Sequence, residues 1–443
     1  MKLAMVGGGG FRTPLVYRAL LGDHHERRVD EVWLHDVDAD RLQAIALVLR
    51  QLAAGVPGAP VVHITTRLDD AVAGADFVFS AIRVGGLEGR TADERVALDL
   101  GVLGQETTGP GGIAYGLRTV PVAVALAEHV ADAAPGAWVI NFTNPAGMVT
   151  EAMQGVLGER VIGICDSPLG LARRAARRLG LDVSQTTVGY AGLNHLGWLS
   201  RLEHGGVDVL PQLLGDARLL GAMEEGQLFG ADWIQSLGVV PNEYLYYYYF
   251  TREAVASLRG AETRGEFLLR QQAAFYAEVG RTPGRALEVW DRVRLERNAT
   301  YMREAREGQR DEDDVEGGGY EGVALSLMGA IARGEEATLI LNVRNGATLP
   351  GLPEDAVVEV PCAVGGFGAR PLPVPALAGH FLGLVQQVKA VEQLTIEAAL
   401  SGSESVAVKA FSLHPLVDSV SVGQQLLAGY QARIPSLDAV FRA

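Results

Sequence analysis

Four consecutive glycines near the start of the chain are the first residues whose type and position could serve chemistry. They follow a short apolar run and precede a helical pattern: Gly7, Gly8, Gly9 and Gly10. Glycine adopts positive φ and lets a backbone approach a pyrophosphate, which would lie at the N-terminus of the following helix. Asp36 closes the next apolar run, where a carboxylate can bind a ribose 2′-hydroxyl and repels a 2′-phosphate. The pattern predicts a dinucleotide site that prefers NAD to NADP.

Two features leave that interpretation open on the residues alone. The third glycine of the G-x-G-x-x-G pattern would fall on Arg12. Asp36 could also serve only to cap the turn before Asp40. Since a glycine run by itself is often just a flexible turn, the prediction depends on Asp36.

Cys165 is the second candidate, because it ends a run that is predicted to be a parallel strand. Ligands of open α/β sheets bind at the carboxyl ends of the strands, so a thiolate there could hold a metal ion. A lone cysteine is also commonly a small buried hydrophobic residue, and the residues alone leave both roles open. The other cysteine, Cys362, is assigned no role. Two cysteines cannot form a disulfide framework, which fits a reducing compartment.

A sheet must position these residues, and the first 165 residues predict one. Short apolar strands are expected at 2–6, 31–34, 77–82, 138–142 and 161–165, and helices between them at 13–21, 40–52 and 120–133. Such alternation predicts a parallel sheet with helices on both faces. We therefore expect an α/β fold with a Rossmann-like, doubly wound NAD-binding domain at 1–165.

The rest of the chain predicts an α+β domain at 166–443 for substrate binding, metal binding and oligomerisation. Helices are expected at 169–179, 267–279, 323–332, 384–400 and 403–412, and strands at 337–345 and 357–363. Residues 186–202 read as paired strands that are interrupted by Asn194 and His195. The charge-rich segment 307–314 is expected to be an exposed loop.

Composition limits the partners. The 443 residues carry 38 basic and 53 acidic side chains, a net charge of −15, which argues against nucleic acid or an anionic membrane. No apolar run is long enough for a membrane helix or a signal peptide, so a cytoplasmic protein is expected. The tyrosines at 244–249 and the long C-terminal helix offer extra apolar surface, which predicts a homodimer or homotetramer.

Six segments, read together, carry a family pattern: FRTP at 11–14, IRVGGL at 82–87, GQETTGPGG at 104–112, NFTNP at 141–145, CD at 165–166 and NH at 194–195. In this order they resemble glycoside hydrolase family 4, which includes 6-phospho-β-glucosidases, 6-phospho-α-glucosidases and α-galactosidases. The resemblance continues through TRGE at 263–266 to the helix with Glu392 and Glu397. It implies a glycosidase that uses NAD and a divalent metal instead of two flanking carboxylates.

The resemblance also implies a redox-assisted elimination. A hydride passes from C3 of the sugar to NAD, and the resulting ketone makes the C2 proton acidic. A base removes that proton, and the C1 leaving group is eliminated. Water then adds at C1 and the hydride returns to C3, so the cofactor is regenerated in each turnover.

By this resemblance Cys165 and His195 would be the protein ligands of the metal, and sugar oxygens would complete its shell. Manganese is expected, although a cysteine–histidine pair does not by itself exclude zinc, iron, cobalt or nickel. The metal would polarise the C3 carbonyl and stabilise the enediolate. A lone histidine in a strand is otherwise more often a structural residue.

The acid and the base are also implied by the family pattern. Its segment tyrosine-leucine-x-tyrosine-tyrosine aligns the catalytic base with Tyr244, and Tyr247 is the second candidate. A phenol needs a lowered pKa to act as a base, which an adjacent metal would supply. The remaining tyrosines of this run are expected in the core or at a subunit interface. Asp166 would protonate the leaving group.

Further residues follow for the two ligands. The dinucleotide would be held by the glycine turn together with Phe11, Arg12, Asp36 and Arg83. The sugar hydroxyls would be contacted by Asn144 and Glu106.

A 6-phosphate needs guanidinium groups in this acidic protein, and Arg90 and Arg264 are the candidates. The segment at 297–300 reads Arg-Asn-Ala-Thr, where phospho-β-glucosidases usually have Arg-Gly-Gly-Ala. This departure leaves an unphosphorylated or uronic acid substrate open.

Alternatives remain at two levels. Aspartate at 166 resembles the α-specific phosphoglucosidases, whereas the glycine turn, segment 82–87 and the C-terminal half look closer to 6-phospho-β-glucosidases. We expect a 6-phospho-β-glucosidase, with a 6-phospho-α-glucosidase or a glycosidase for unphosphorylated galactosides or galacturonides as alternatives. An NAD-dependent 2-hydroxy-acid dehydrogenase of the lactate/malate type shares the predicted architecture, but has no use for Cys165 and Asp166. A non-catalytic sugar-phosphate sensor would not need to keep Cys165, His195 and Tyr244.

Overall fold

The computed structural model describes residues 1–301 and 319–442, so the predicted loop at 307–314 lies outside the described residues. Within these ranges thirteen strands form one sheet. They are β1 Lys2–Val6, β2 Glu31–His35, β3 Val61–Thr65, β4 Phe77–Ser80, β5 Trp138–Asn141, β6 Val161–Gly163, β7 Thr186–Leu193, β8 Leu196–His204, β9 Val207–Asp208, β10 Val240–Pro241, β11 Ala337–Arg344, β12 Val357–Gly365 and β13 Gly368–Pro371.

Helices cover both faces of the sheet. They are α1 Thr13–Leu21, α2 Ala39–Ala53, α3 Leu68–Val72, α4 Gly86–Asp99, α5 Pro110–Ala133, α6 Ala146–Leu157, α7 Ser167–Arg178, α8 Leu210–Leu214, α9 Ala217–Gly221, α10 Glu224–Phe229, α11 Ala231–Leu237, α12 Tyr246–Tyr249, α13 Thr251–Arg259, α14 Arg264–Arg281, α15 Ala286–Ala299, α16 Tyr320–Arg333, α17 Gly379–Ser401, α18 Glu404–Leu413, α19 Val420–Arg433 and α20 Pro435–Val440. In the described parts of the chain, no helix is both long and apolar enough to cross a bilayer.

The first half of the sheet confirms the predicted Rossmann-like, doubly wound arrangement. Six strands pair in parallel in the order β3-β2-β1-β4-β5-β6, which is the dinucleotide-binding order. The order in which the chain adds strands reverses here, because β2 lies on one side of β1 and β4 lies on the other. The turns after β1 and β4 therefore open a crevice between these two strands. The strands β1, β2, β4, β5 and β6 match predicted positions to within two residues at each end. The edge strand β3 was missed because its side chains are only partly buried and give a weak apolar signal.

The second half continues the same sheet with antiparallel strands. One residue pair, Gly163 of β6 and Asn342 of β11, joins the two parts, and β11 pairs along its whole length with β12. The predicted paired strands at 186–202 are confirmed as β7 and β8, which meet at the Asn194-His195 turn. The boundary between domains 1–165 and 166–443 stays a prediction.

Two helices that shape the cleft were not predicted, and a third begins earlier than expected. Helix α4 begins at the second glycine of the pair Gly85-Gly86, and α6 follows Pro145, so the start of each helix resembles a loop in sequence. Helix α5 begins at Pro110, ten residues before its predicted start, because glycines allow its first turns to approach a neighbouring loop. A Cβ on Gly112 would lie 2.3 Å from the Thr107 carbonyl oxygen. Glycine at 112 therefore serves close packing inside a helix, which a loop-based interpretation misses.

Candidate active site

A cleft of about 1420 Å³ runs along the carboxyl ends of the parallel strands. It brings together residues that lie more than 250 positions apart in the chain. The predicted site residues that line it are Gly7, Gly10, Phe11, Arg12, Asp36, Arg83, Arg90, Glu106, Asn144, Cys165, Asp166, His195, Tyr244 and Arg264. Gly8 and Gly9 are not in the lining, although they belong to the turn that forms one end of it. We call the part around Gly7–Gly10 and Asp36 the nucleotide end, and the part around Cys165, His195 and Tyr244 the sugar end.

The nucleotide end is built from backbone. Gly7 has φ +88°, and a Cβ there would lie 2.5 Å from the carbonyl oxygen of Ala81 in the turn after β4. The amides of Gly7 and Gly8 both donate to the His35 carbonyl, at 2.9 and 2.7 Å. No side chain fits at this point between β1 and β4, so the turn keeps bare backbone at the switch point of the sheet.

Asp36 holds this turn in place. One oxygen of its carboxylate accepts the Gly9 amide at 3.1 Å, and the other accepts the Asp38 amide at 3.2 Å. The cap of helix α2 is a different residue, because Asp38 accepts the amides of Asp40 and Arg41. The arrangement fits a ribose-binding carboxylate that is oriented by the glycine turn itself.

The other residues predicted for the dinucleotide surround the same end. Phe11 is buried against Phe275, with ring centroids 5.0 Å apart. Arg12 lies between the two ends, its guanidinium 5.3 Å from the ring centroid of Tyr320. Arg83 follows β4 and forms an ion pair with Glu106 at 2.8 Å.

The sugar end contains the two predicted metal ligands. Cys165 follows β6 at the carboxyl edge of the sheet and is 5% exposed. His195 lies in the two-residue turn between β7 and β8 with φ +64°, the left-handed conformation, which is uncommon for a residue other than glycine. Its Nδ1 lies 2.9 Å from the Thr107 hydroxyl, so Nε2 is the nitrogen that can coordinate a cation.

The charges around Cys165 suit a cation. Burial, and then the carboxylates of Glu359 and Asp166, raise the pKa of the Cys165 thiol well above its ordinary value. A divalent cation reverses that balance, because it stabilises the thiolate and is itself attracted by the carboxylates. Burial lowers the pKa of His195 to about 4, which keeps the imidazole neutral and able to coordinate.

These two predicted ligands would supply only part of a coordination shell. Among the described residues, no group of three or more histidine, cysteine, aspartate or glutamate side chains is arranged to hold a metal ion. A cation bound by Cys165 and His195 would therefore take its remaining ligands from water or substrate, which is the arrangement of a catalytic site rather than a structural one.

Tyr244 lies against His195, its ring stacked at a centroid distance of 3.8 Å and an interplanar angle of 10°. Its hydroxyl accepts a hydrogen bond from Tyr301 at 2.9 Å. Burial raises the pKa of Tyr244 well above its ordinary value, so the phenol needs a nearby cation to ionise near neutral pH. Tyr247 also lines the cleft, 6.3 Å from Tyr244 between ring centroids.

The other tyrosines of the run pack inside the chain. Tyr246 stacks on Phe250 with 5.4 Å between ring centroids, and Tyr249 accepts a hydrogen bond from the Trp198 indole. Much of this aromatic cluster is thus used within one chain.

Four arginines meet between the two ends of the cleft. Arg264 donates to the Thr300 hydroxyl at 2.8 Å and to the Arg297 carbonyl at 2.7 Å, which brings helices α14 and α15 together. Burial holds the pKa of Arg297 well below its ordinary value, and three neighbouring cations lower it further. Those cations are Arg12, Arg264 and Arg90. Like charges that lie close together in a cleft favour the binding of an anion there.

Glu106 offsets part of this charge. Its carboxylate lies 2.8 Å from both Arg83 and Arg90, and although burial opposes ionisation, these two cations hold the pKa of Glu106 down to about 2. Asp166 and Asn144 line the cleft after β6 and β5, beside Cys165. Glu106, predicted to contact sugar hydroxyls, has both oxygens in these ion pairs.

Three residues of the site were not assigned a role from the sequence. Thr107 orients His195, and it lies in the recognised GQETTGPGG segment beside Glu106. Arg297 belongs to the segment that departs from the family pattern, but the arginine itself is retained and lies in the cation cluster. Glu359 is buried and accepts hydrogen bonds from Asn194 at 3.2 Å and from Asn342 at 2.9 Å. Its only sequence signal is a charged residue within an apolar strand.

Two protein-family models and a known relative match most of this chain. A model described as "Family 4 glycosyl hydrolase" matches residues 2–181, and one described as "Family 4 glycosyl hydrolase C-terminal domain" matches residues 190–417. A probable 6-phospho-beta-glucosidase of Bacillus subtilis is 33% identical over 440 residues, which cover 96% of this chain and 95% of that protein.

Solved structures of related enzymes have a similar fold. A 6-phospho-beta-glucosidase from Thermotoga maritima, with manganese, NAD+ and glucose-6-phosphate, has a TM-score of 0.82 and 28% identity over 98% of each chain. A 6-phospho-alpha-glucosidase from gut microorganisms, with NAD and glucose-6-phosphate, has a TM-score of 0.83 and 27% identity over 98% of this chain and 97% of that one. Malate dehydrogenase from Plasmodium falciparum has a TM-score of 0.50 and 15% identity over 90% of this chain and 99% of that one, a likeness of fold alone. The predicted dehydrogenase-like architecture is confirmed.

Proposed function

The chain belongs to family 4 of the glycosyl hydrolases, and on that premise we propose that it hydrolyses 6-phosphoglucosides with the help of NAD and a divalent cation, most simply manganese. The observation that carries the phosphorylated substrate is the cluster of Arg12, Arg90, Arg264 and Arg297 in one cleft. Glu94 and Glu106 pair with Arg90 and balance part of this charge, and a phosphate group of the substrate would balance more of it. A related structure holds glucose-6-phosphate together with NAD+ and manganese.

The chain's own residues fit both groups. The glycine turn offers bare backbone to a pyrophosphate and Asp36 a carboxylate to a ribose. The Cys165 thiolate and His195 Nε2 would hold the cation. When bound, the dinucleotide would accept and return a hydride at the sugar, and the cation would polarise a carbonyl group.

Within this frame the side chains of the sugar end divide the proton transfers. Tyr244 would take the proton from C2 of the sugar, because its ring stacks on that of the proposed ligand His195. The hydrogen bond from Tyr301 would orient the Tyr244 oxygen during that step. Asp166, the residue next to Cys165 in the sequence, would give a proton to the leaving oxygen.

For the anomer we propose a preference for β-glucosides. The relative of 33% identity is a probable 6-phospho-beta-glucosidase, and further relatives of 29 to 30% identity include both 6-phospho-beta- and 6-phospho-alpha-glucosidases. Breaking the C2–H bond is a step common to the α- and β-glucosides. A low residual activity on the α-glucoside is therefore compatible with the same site.

We also propose a cytoplasmic homodimer or homotetramer. A metal ligand that is a cysteine thiolate needs a reducing compartment, where free thiols persist. The long helix α17 is the remaining support for an oligomer, since much of the tyrosine cluster packs within the chain.

The test uses the full chain with NAD, manganese and a thiol reductant. Release of p-nitrophenol is measured from the α- and β-glucosides with and without a 6-phosphate. We expect kcat/KM for the phosphorylated β-glucoside to exceed that of its plain counterpart about 100-fold or more, the worth of two charge-assisted hydrogen bonds. Turnover of plain glycosides alone would reject the phosphate site, and accumulation of NADH with a 2-hydroxy acid would point to a dehydrogenase.

A substrate with deuterium at C2 tests the elimination. Release of that deuterium into water at the rate of hydrolysis is expected if Tyr244 removes the C2 proton. Hydrolysis with full retention of deuterium at C2 would reject the mechanism while leaving the substrate class intact.

A further inference from the structure

Glu94 is a buried carboxylate in the cleft that the proposed mechanism does not use. It lies on helix α4, one turn after Arg90, and only 2% of it is exposed. A buried carboxylate is costly unless its oxygens are paired, so the partners of Glu94 indicate what it is for.

The two oxygens of Glu94 serve two different elements. Oε1 accepts from Arg90 Nε at 2.9 Å, within an ion pair whose side chains are 7% and 3% exposed. Oε2 accepts the backbone amide of Gly265 at 2.7 Å, at the start of helix α14. Arg264 is the residue just before Gly265, so one carboxylate ties together the positions of Arg90 and Arg264.

The contact with Gly265 leaves no room for a side chain. A Cβ at that position would lie 2.6 Å from Glu94 Oε2 and 3.2 Å from Arg90 Cγ. The close approach packs the start of helix α14 directly against α4 at this point, and the ion pair between Arg95 of α4 and Glu266 of α14 joins the same two helices outside the cleft. Arg264 in turn holds the Arg297 carbonyl, so the tie reaches three of the four arginines.

We propose that Glu94 is a positioning residue that sets the spacing of Arg90 and Arg264, and so determines selectivity for a substrate with a phosphate group. This inference rests on the proposed phosphoglucosidase function. Glu94 would not touch the phosphate, because two like charges would repel; it would act through the two arginines. Its loss should therefore weaken recognition of the phosphorylated substrate more than recognition of the plain glucoside.

Glu266 offers a matched control at the start of helix α14. Glu266 also stabilises the start of α14, because it accepts the Thr263 amide at 2.9 Å and pairs with Arg95, outside the cleft lining. Glu94→Gln and Glu266→Gln each remove a carboxylate that accepts a backbone amide at the start of α14 and that pairs with an arginine of α4. Only the first removes one that also binds Arg90.

The experiment measures kcat/KM for p-nitrophenyl glucoside 6-phosphate and for the plain p-nitrophenyl glucoside, with NAD and manganese. We expect Glu94→Gln to lower the ratio of the two values about tenfold, mainly through KM of the phosphorylated substrate, and Glu266→Gln to keep the wild-type ratio. Gly265→Ala, which would displace the same carboxylate, should lower the ratio as well and carries the test if Glu94→Gln does not fold.

A ratio within twofold of wild type in Glu94→Gln, or in Gly265→Ala if that variant carries the test, overturns the positioning role. An equal fall of the ratio in Glu266→Gln also overturns it, because the effect would then belong to the helix start in general. A wild-type enzyme without any preference for the phosphorylated substrate refutes the proposed function itself, which separates the two failures.

Discussion

The two ends of the cleft are built from different parts of the chain. At the nucleotide end, contiguous residues meet one carboxylate, and the working surface is backbone that glycine exposes. At the sugar end and in the arginine cluster beside it, side chains come from segments as distant as Arg12 and Arg297, and each needs a neighbour to orient it. The comparison teaches that a backbone site is encoded locally, whereas a side-chain site depends on the packing of the whole fold.

The two ends also differ in electrostatic cost. The glycine turn buries only amides that have hydrogen-bond partners, which is inexpensive. The sugar end and the arginine cluster beside it bury a thiol, several carboxylates and several guanidinium groups, whose pKa values are displaced by burial and by one another. Such a region is expected to respond strongly to single substitutions and to pH, and the nucleotide end weakly.

The largest effect should come from a single hydroxyl at the sugar end. Tyr244→Phe keeps the ring that stacks on His195 but removes the proposed base, and we expect kcat to fall by about 10²- to 10⁴-fold. Tyr249→Phe is the control, since Tyr249 bonds Trp198 and His380 away from the cleft lining. Hydrolysis is measured at saturating NAD and manganese. If both variants lose activity equally, the hydroxyl of Tyr244 has no special role.

A second effect of intermediate size concerns pH. Burial raises the pKa of Glu359 to about 7, against the hydrogen bonds from Asn194, Asn342 and Tyr190. The folded state holds this proton more tightly than the unfolded chain does. Protonated Glu359 therefore contributes to the free energy of unfolding at pH 4, and this contribution is lost as the pH rises towards 7. One group displaced this far changes the free energy of unfolding by roughly 3 kcal/mol.

Glu359→Gln should remove this dependence of the free energy of unfolding on pH, because an amide does not titrate. Urea unfolding of the metal-free protein at pH 5 and pH 8 measures it, with the exposed Glu354→Gln as the control for a lost carboxylate. We expect wild type to lose more stability than Glu359→Gln between the two pH values. Equal losses in the two proteins would mean that Glu359 is not the buried titrating group of the sugar end.

The difference between the two ends also explains what the sequence could predict. The strands β1 and β2 and helix α1 follow from short apolar runs, and the glycine turn between them follows from residue types within one segment. The antiparallel pair β7–β8 was predicted as paired strands on either side of the polar turn at Asn194 and His195. Local patterns of this kind carry their own register, so their positions were confirmed to within two residues.

The sugar end could not be assembled in this way. Nothing in local pattern places Arg297 beside Arg12, or Glu359 beside Asn194, because those contacts arise from tertiary packing of helices and strands far apart in sequence. Resemblance to a family supplied the candidates Cys165, His195 and Tyr244. Residues outside the quoted motifs, such as Glu94 and Glu359, became visible only through their hydrogen bonds.

The smallest effect should lie at the nucleotide end, where Gly7 can be compared with Gly74, a glycine outside the cleft lining. Gly7 and Gly74 both have positive φ, +88° and +65°, but a Cβ on Gly7 would meet the Ala81 carbonyl at 2.5 Å, whereas nothing lies within 4 Å of one on Gly74. Alanine in the left-handed conformation costs about 1–2 kcal/mol at either position. Only Gly7→Ala should also widen the crevice between β1 and β4 and weaken NAD binding, about tenfold or 1.4 kcal/mol. Titration of NAD by protein fluorescence, with thermal unfolding of both variants, measures the two effects. If Gly74→Ala weakens NAD binding as much as Gly7→Ala, the nucleotide end is no more local than the sugar end, and the contrast between them fails.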